Sequence, residues 1–304
     1  MSLICVAAWL LPLAGCRSAD DGGSAEVVAT TTQVADIARN VAGREAEVHG
    51  ILPPSADPHD YEPRPSDAAA LAAAELVITS GGEVDEWVGE LIESSGTDAR
   101  VVTLLGSAPV TRTSAGEIDP HWWQDPTNAI AATEAIRDAM SAATPAAAEA
   151  FADNADAYVA AIRRADRAAS ACFDALPARS RKLVTSHDSL RLFADRYGLE
   201  VVGSAVPALS TQAQPSSGET ADLIELIETQ QVPAVFPESG LPGELEEAIA
   251  EEAGAEVGGE LYADSLGEKG SPGDTYLGAF QANTSVLAEG MSNQAQDCSA
   301  LGVP

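Results

Sequence analysis

The chain has 304 residues, of which 45% are hydrophobic, enough to build the cores of two domains of ordinary size. It carries 47 acidic against 16 basic residues, a formal net charge of −31 at pH 7. A surface of this charge repels nucleic acid, which excludes a nucleic-acid-binding function, and it attracts divalent cations without selecting among them.

The N-terminal segment has the pattern of an export signal. Residues 1–15 are uncharged and largely apolar, and they are too short to cross a bilayer as a helix. Cys16 follows directly after Leu-Ala-Gly, which resembles the bacterial lipoprotein signal, in which the cysteine is lipidated. We therefore predict a signal peptide over 1–15, a tether over 16–25 and a lipid anchor on the outer face of the cytoplasmic membrane. Since no Lys or Arg precedes the apolar run, either the signal is weak or translation starts further upstream; the alternative is a chance cysteine in an ordinary signal peptide.

Two cysteines remain for a disulfide. Cys5 would leave with the signal and Cys16 would carry the lipid, which leaves Cys172 and Cys298. In an exported protein two remaining cysteines are more often bridged than free. We predict a Cys172–Cys298 disulfide that joins the C-terminal tail to the end of a long helix.

Short apolar strands alternate with amphipathic helices over residues 26–143. This alternation predicts an N-terminal α/β lobe with a mainly parallel sheet covered by helices. The predicted strands are 26–30, 46–52, 76–79 and 100–105, and the predicted helices are 33–41, 66–74, 84–93 and 127–142.

Residues 144–176 contain no Gly, and their apolar positions recur at helical spacing. Pro145 stands in the first turn, where proline is tolerated. We predict one long, rigid helix joining two lobes, followed by a C-terminal α/β lobe over 177–304. Its predicted strands are 182–186, 200–206, 234–237 and 255–261, and its predicted helices are 189–197, 219–230, 242–252 and 275–291.

Three of the four histidines lie at the ends of predicted strands or in the loops that follow them. They are His59, His121 and His187. The carboxyl ends of strands in open α/β sheets are where ligands bind. His49 lies inside a predicted strand, and we interpret it as structural or solvent-facing.

Four segments, in this order, resemble the ligand loops of the metal-binding solute-binding proteins of ABC importers. This group includes the zinc-uptake receptors and the manganese-binding lipoprotein receptor antigens. The similarity extends over nearly everything after Ala25, and the segments are DPHDYEP at 57–63, DPHWWQDP at 119–126, SHDSL at 186–190 and LYADSL at 261–266.

The resemblance implies a function as well as a fold. It implies two α/β lobes joined by a rigid helix, with a metal ion in the cleft held by His59, His121, His187 and Asp264. The first two ligands would come from the N-terminal lobe and the last two from the C-terminal lobe. The implied role is capture of the ion outside the membrane and delivery to an ABC permease and its ATPase, by a monomer, with a metallochaperone as a further candidate partner.

The types of ligand favour zinc. Three imidazoles and one carboxylate suit a tetrahedral Zn(II) shell, whereas manganese prefers harder oxygen ligands. By the same resemblance, the third ligand position is a Glu in the manganese members of the family, and here it is His187. Glu238 is the alternative carboxylate ligand; otherwise it accepts a hydrogen bond near the site. We interpret Asp60, Asp67 and Asp125 as groups that order the loops or orient the imidazoles, and Trp122 and Trp123 as walls of the cleft or core residues.

Three other functions are weighed against the zinc receptor. A manganese receptor of the same family would use the same four residues. A zinc hydrolase would need an open coordination position, which four protein ligands close, and the chain has no His-Glu-x-x-His motif. An adhesin role would add to the metal site rather than replace it. One departure from many zinc members is that residues 110–118, just before the second ligand, contain no histidine.

Overall fold

The computed structural model describes residues 25–107, 112, 116–292 and 298. The predicted signal peptide, the predicted lipidation site Cys16 and the tether up to residue 24 lie outside the described residues, as does most of 108–115. Among the described helices, none is long and apolar enough to cross a membrane.

The N-terminal lobe is built on one four-stranded parallel sheet. Its strands are β1 (Ala25–Ala29), β2 (Ala46–Gly50), β3 (Leu76–Thr79) and β4 (Arg100–Thr103), and its helices are α1 (Thr32–Ala42), α2 (Pro65–Ala73), α3 (Val88–Ser95) and α4 (Pro126–Ala143). The order of the strands is β2-β1-β3-β4. Both valines of β1 and the apolar residues of β3 are buried, and amphipathic α1 covers the sheet with Val34, Ile37 and Val41.

A single helix of 27 residues, α5 (Ala148–Asp174), runs between the lobes, and at 1.5 Å per residue it is about 40 Å long. A 3-10 turn, Pro145–Ala147, precedes it. Its buried face packs Phe151 and Ile162 into the core of the N-terminal lobe and Phe173 into that of the C-terminal lobe. Cys172, near its end, is paired with Cys298 in the structure, with the two Cα atoms 6.0 Å apart.

The C-terminal lobe repeats the parallel α/β arrangement. Its strands are β5 (Lys182–His187), β6 (Glu200–Val206), β7 (Ala234–Val235) and β8 (Glu256–Val257), and its helices are α6 (Arg191–Tyr197), α7 (Ser217–Gln230), α8 (Glu244–Ala253) and α9 (Tyr276–Met291). β5 pairs with β6, β7 pairs with β8, and a parallel bridge from Thr185 to Phe236 connects the two pairs.

The predicted fold class, two α/β lobes with parallel sheets joined by one long helix, is confirmed. The exact limits predicted for the lobes stay a prediction. Two elements differ from their prediction. The predicted strand 255–261 is interrupted: β8 ends at Val257, and parallel pairing resumes only at Leu261, which bridges Glu238. One residue more lies between Val257 and Leu261 than between their partners Val235 and Glu238, and such an extra residue breaks the ladder. The predicted helix 84–93 is split into a 3-10 turn, Glu83–Asp85, and α3.

Candidate metal centre

The four predicted ligands lie either at the end of a strand or on a segment that follows one. His59 lies in a 3-10 turn, Pro58–Asp60, in the loop after β2, and His121 directly precedes a second turn, Trp122–Gln124. His187 is the last residue of β5. Asp264 comes shortly after Leu261, which bridges to Glu238 in parallel. Both lobes therefore contribute residues to one place.

The structure brings the side chains of all four residues together. One donor atom from each lies within 4.8 Å of the others. Nε2 of His59 and Nε2 of His187 are each 3.1 Å from Asp264 Oδ2, and Nε2 of His121 is 3.6 Å from Asp264 Oδ1. These separations match those between neighbouring ligand atoms around one ion, because bonds of about 2.0–2.2 Å at tetrahedral angles place the atoms a little over 3 Å apart.

Five polar atoms at this point are buried without a hydrogen-bond partner among the described residues. They are Nε2 of the three histidines and both oxygens of Asp264. The side chains are almost fully enclosed, with exposures of 2%, 0%, 1% and 7% for His59, His121, His187 and Asp264. Burying an unpaired polar atom costs about 1–3 kcal/mol, so five in one place indicate a ligand that all of them share.

A carboxylate behind the imidazole orients two of the three histidines. Asp119 Oδ1 lies 2.9 Å from Nδ1 of His121 and accepts that residue's main-chain N–H at 3.0 Å. Glu238 Oε1 makes the same pair of contacts with His187, at 2.8 and 3.1 Å. A carboxylate at Nδ1 places the ring proton there and leaves the lone pair of Nε2 directed into the centre.

The outcome for the other predicted acidic residues varies. The structure places Glu238, the alternative ligand, behind His187 and outside the group of four convergent donors. Asp67 orders its loop by accepting hydrogen bonds from the Tyr61 hydroxyl and the Arg64 main chain, and Asp125 caps α4. Asp60 is exposed and orients no imidazole among the described residues, so a role in ordering its loop stays the prediction for it.

Sequence reasoning missed Asp119 as an orienting residue. Its signal is the repeated Asp-Pro-His at 57–59 and 119–121. In both copies the Asp carboxylate accepts the main-chain N–H of the His two residues later, with Asp57 at 2.9 Å from His59 N. The repeat therefore encodes the turn that presents the histidine.

The charges of the centre favour a protonated His187 and an ionised Asp264 when no metal is bound. Burial alone would lower the pKa of His187, but the carboxylates of Glu238 and Asp264 outweigh it and hold that pKa well above 6.5. Burial would raise the pKa of Asp264, but His187 and His121 outweigh it and hold that pKa well below 3.8. A cation that binds here displaces a proton from His187.

The loop that carries Asp264 is bonded to the opposite lobe. Although it belongs to the C-terminal half of the chain, its main chain is fixed on both sides of Asp264 by groups of the N-terminal lobe. Trp123 Nε1 and Gln124 Nε2 donate to Ala263 O at 2.9 Å, Leu266 N donates to Thr32 Oγ1 at 2.8 Å, and Ser55 N donates to Leu266 O at 2.8 Å. Within the C-terminal lobe, Asn283 bonds both the N–H and the carbonyl oxygen of Tyr262 at 2.8 Å, so the loop of Asp264 is held by both lobes.

The remaining predicted residues lie away from the convergent donors. Trp122 and Trp123 pack in the core of the N-terminal lobe, one of the two predicted alternatives, and the Trp123 ring is 5.5 Å from that of His121. His49 is exposed on β2, the second of the two predicted alternatives.

The loop of His59 is also bonded to the C-terminal lobe. Thr211 Oγ1 donates to Asp57 Oδ2 at 2.6 Å, and Gln212 Nε2 donates to the main-chain oxygen of His59.

Comparison with known proteins agrees with this geometry. The family model of ZnuA, "Zinc-uptake complex component A periplasmic", matches residues 27–290. Iron-binding protein YfeA of Yersinia pestis is 33% identical over 293 residues, 95% of this chain and 92% of that protein. Manganese-binding lipoprotein MntA of Bacillus subtilis is 31% identical over 292 residues, 92% of this chain and 95% of that protein.

Among solved structures, the periplasmic zinc binding protein TroA from Treponema pallidum matches with a TM-score of 0.83 at 26% identity. The match covers 88% of this chain and 99% of TroA. The chain therefore belongs to the ZnuA family and is a metal-binding substrate-binding protein of ABC importers, not an enzyme.

Proposed function

We propose that this protein captures Zn(II) outside the cytoplasmic membrane and delivers it to an ABC permease driven by its ATPase. The ligands are Nε2 of His59, His121 and His187 and the carboxylate of Asp264. The observation that carries the proposal is the convergence of these buried donors, which have no hydrogen-bond partner among the described residues.

The donor set supports zinc. Imidazole nitrogen is a favoured zinc ligand, and three imidazoles with one carboxylate make the four-coordinate shell that zinc prefers. The single carboxylate offsets one of the two positive charges of the ion in a nearly closed site. The family model describes a zinc-uptake component, and the related TroA structure is named as a zinc binding protein.

Manganese or iron is the second candidate, and one structural observation favours it. Both oxygens of Asp264 are buried and lack a hydrogen-bond partner, so a bidentate carboxylate with three imidazoles would offer five donor atoms. Mn(II) and Fe(II) accept this higher coordination more readily than zinc. The relatives MntA and YfeA are named for manganese and for iron.

The protein acts as a monomer held by a lipid on Cys16 at the outer face of the cytoplasmic membrane. Support comes from the Leu-Ala-Gly-Cys sequence and from relatives named as lipoproteins. A Cys172–Cys298 disulfide joins the C-terminal tail to α5, and a free-thiol titration of the denatured protein tests it: reaction at neither cysteine before reduction is the expected result. A metallochaperone is a further candidate partner.

The first test is metal analysis of the purified protein by mass spectrometry, followed by competition between zinc, manganese and anaerobic ferrous iron. We expect one zinc per chain, retained against an excess of manganese or iron. Retention of manganese or iron against zinc would replace the proposal with the second candidate. A chain that holds none of the three metals would refute both.

The replacement His187→Glu tests the basis of selectivity. It exchanges one imidazole for a harder oxygen ligand, so we expect the ratio of zinc to manganese affinity to fall by about tenfold or more. The replacement His49→Glu, at an exposed position, is the matched control. An unchanged metal ranking in His187→Glu would contradict the ligand-type argument.

A further inference from the structure

A cavity of about 640 Å³ opens beside the metal centre, between the two lobes. We call it the vestibule. One wall is the loop of His59 with the start of α3, and the other contains Ser210 and Gln212 of the C-terminal lobe. Trp87 braces the first wall, because its Nε1 donates to Pro58 O at 3.1 Å.

The charged residues that line the vestibule are all acidic. Neither Lys nor Arg lines it among the described residues, and none of its carboxylates forms an ion pair within the described part of the chain. The five acidic residues are Asp60, Glu62, Glu83, Glu86 and Glu90, and all are exposed. Cavities lined by one sign of charge focus the field and raise the local concentration of counter-ions.

His59 connects the vestibule to the centre. It lines the vestibule, and its enclosed Nε2 has no hydrogen-bond partner and lies 3.1 Å from Asp264 Oδ2. The other three candidate ligands are buried residues, whereas His59 as a whole is partly accessible. Among the four candidate ligands, His59 is the one that lines the vestibule, so the centre borders this cavity at His59, on the side where the carboxylates lie.

We propose that the vestibule is the access route by which a hydrated divalent cation reaches the centre, and that its carboxylates set the rate of capture. The inference rests on the proposed function, because it presumes that a cation binds between His59 and Asp264. The carboxylates act at long range through their charge; they are not ligands of the bound ion. Their effect is therefore on the association rate and is the same for any divalent metal.

The test compares two triple variants with equal loss of charge. Glu83→Gln/Glu86→Gln/Glu90→Gln neutralises the vestibule. Glu45→Gln/Glu47→Gln/Glu75→Gln neutralises three exposed residues near the amino ends of β2 and β3, whereas the metal centre lies beyond the carboxyl ends of the strands. Zinc chloride or manganese chloride is mixed with each protein by stopped flow, and tryptophan fluorescence follows binding, because Trp123 is 5.5 Å from His121.

At low ionic strength we expect the vestibule variant to bind both metals about tenfold more slowly than the parent. Its dissociation rate stays within about twofold, and the difference shrinks in 0.5 M salt, where charges are screened over a few ångströms. The control variant should retain at least about half of the parent association rate.

Each other outcome overturns the inference. An unchanged association rate in the vestibule variant means that the carboxylates do not steer the ion. An equal loss in the control variant assigns the effect to net charge, and a loss for one metal alone makes the carboxylates ligands. Failure of the proposed function looks different, because the parent protein itself would then bind neither metal.

Discussion

The four candidate ligands are held in two different ways. His187 ends a strand of the C-terminal sheet and is oriented by Glu238 from the same lobe. Asp264 also belongs to the C-terminal half of the chain, but its loop is hydrogen-bonded to the N-terminal lobe on both sides. In the same loop, both main-chain polar groups of Tyr262 are bonded to Asn283 of the C-terminal lobe at 2.8 Å. His187 is thus fixed within one lobe, whereas Asp264 is held by both. Separating the lobes would withdraw His187 and would also break the bonds that the Asp264 loop makes to the N-terminal lobe.

The replacement His187→Ala should have the largest effect. It removes the ligand that is fixed within the C-terminal lobe, and we expect zinc affinity to fall more than about a hundredfold, beyond the cost of losing an orienting partner. Competition titration with a zinc chelator measures it. His49→Ala, at an exposed position, should bind as the parent does. Binding by His187→Ala at the parent's affinity would show that His187 is not a ligand.

Replacing the two orienting carboxylates should have the next largest effect, and because one lies in each lobe, the two replacements test the lobes one at a time. Glu238→Ala frees the His187 ring in one lobe, and Asp119→Ala frees the His121 ring in the other. We expect each to weaken zinc binding about 10–100-fold, as loss of such partners does in other metal sites. Glu238→Gln and Asp119→Asn keep an acceptor oxygen and should lose less. If both alanine variants bound zinc normally, the histidines would be held without these carboxylates.

The pH dependence follows from the raised pKa of His187. Zinc binds the unprotonated ring, so its affinity should fall by about tenfold per pH unit below that pKa, and the fall should begin above pH 6.5. The stability of the metal-free protein has the opposite trend. Because the pKa of His187 is higher in the folded than in the unfolded protein, its protonation stabilises the folded state. This stabilisation is fully present below pH 6.5 and is lost as the pH rises through the pKa of His187 in the folded protein.

Thermal unfolding with and without zinc checks both trends between pH 6 and pH 9. The difference in melting temperature between the two samples should widen as pH rises. In Glu238→Gln the widening should move to lower pH, because one of the two carboxylates that raise the pKa of His187 is gone. A difference that stays constant over this range in the parent would contradict the electrostatic account of the centre.

Sequence reasoning identified the alternation of strands and helices and the three histidines because both are local patterns. It failed where a distant residue decides the conformation. The helix predicted over 84–93 breaks because the buried Asp85 carboxylate accepts hydrogen bonds from Ser80 N, Gly81 N and the Thr30 hydroxyl, which cap the ends of two strands. The strand predicted over 255–261 is interrupted because one residue more lies between Val257 and Leu261 than between their partners Val235 and Glu238.

The attachment of Asp264 could not be predicted from the sequence for the same reason. The bond from Trp123 to Ala263 joins residues 140 positions apart, and no local pattern marks either partner. Chain order alone assigns Asp264 to the C-terminal lobe, whereas the hydrogen bonds of its loop join it to the N-terminal lobe as well. By contrast, the turn made by Asp119 was open to prediction, because the repeated Asp-Pro-His places a carboxylate two residues before each histidine. Its contact with the His121 ring was not, because Asp57 in the other copy bonds Thr211 with its second oxygen.

The replacement Thr32→Val should have the smallest effect on metal binding, and it tests the attachment of Asp264 directly. The Thr32 hydroxyl accepts the buried N–H of Leu266, and valine leaves that N–H without this partner. We expect the free energy of unfolding to fall by about 1–3 kcal/mol. Zinc should also dissociate about three- to tenfold faster, measured by stopped-flow transfer to a chelator, because the loop of Asp264 is held less firmly. Thr32→Ser keeps the acceptor and should match the parent in both measurements. If Thr32→Val lost stability but released zinc at the parent rate, the other bonds to this loop would suffice to hold Asp264, and the hold of the N-terminal lobe on this ligand would not depend on Thr32.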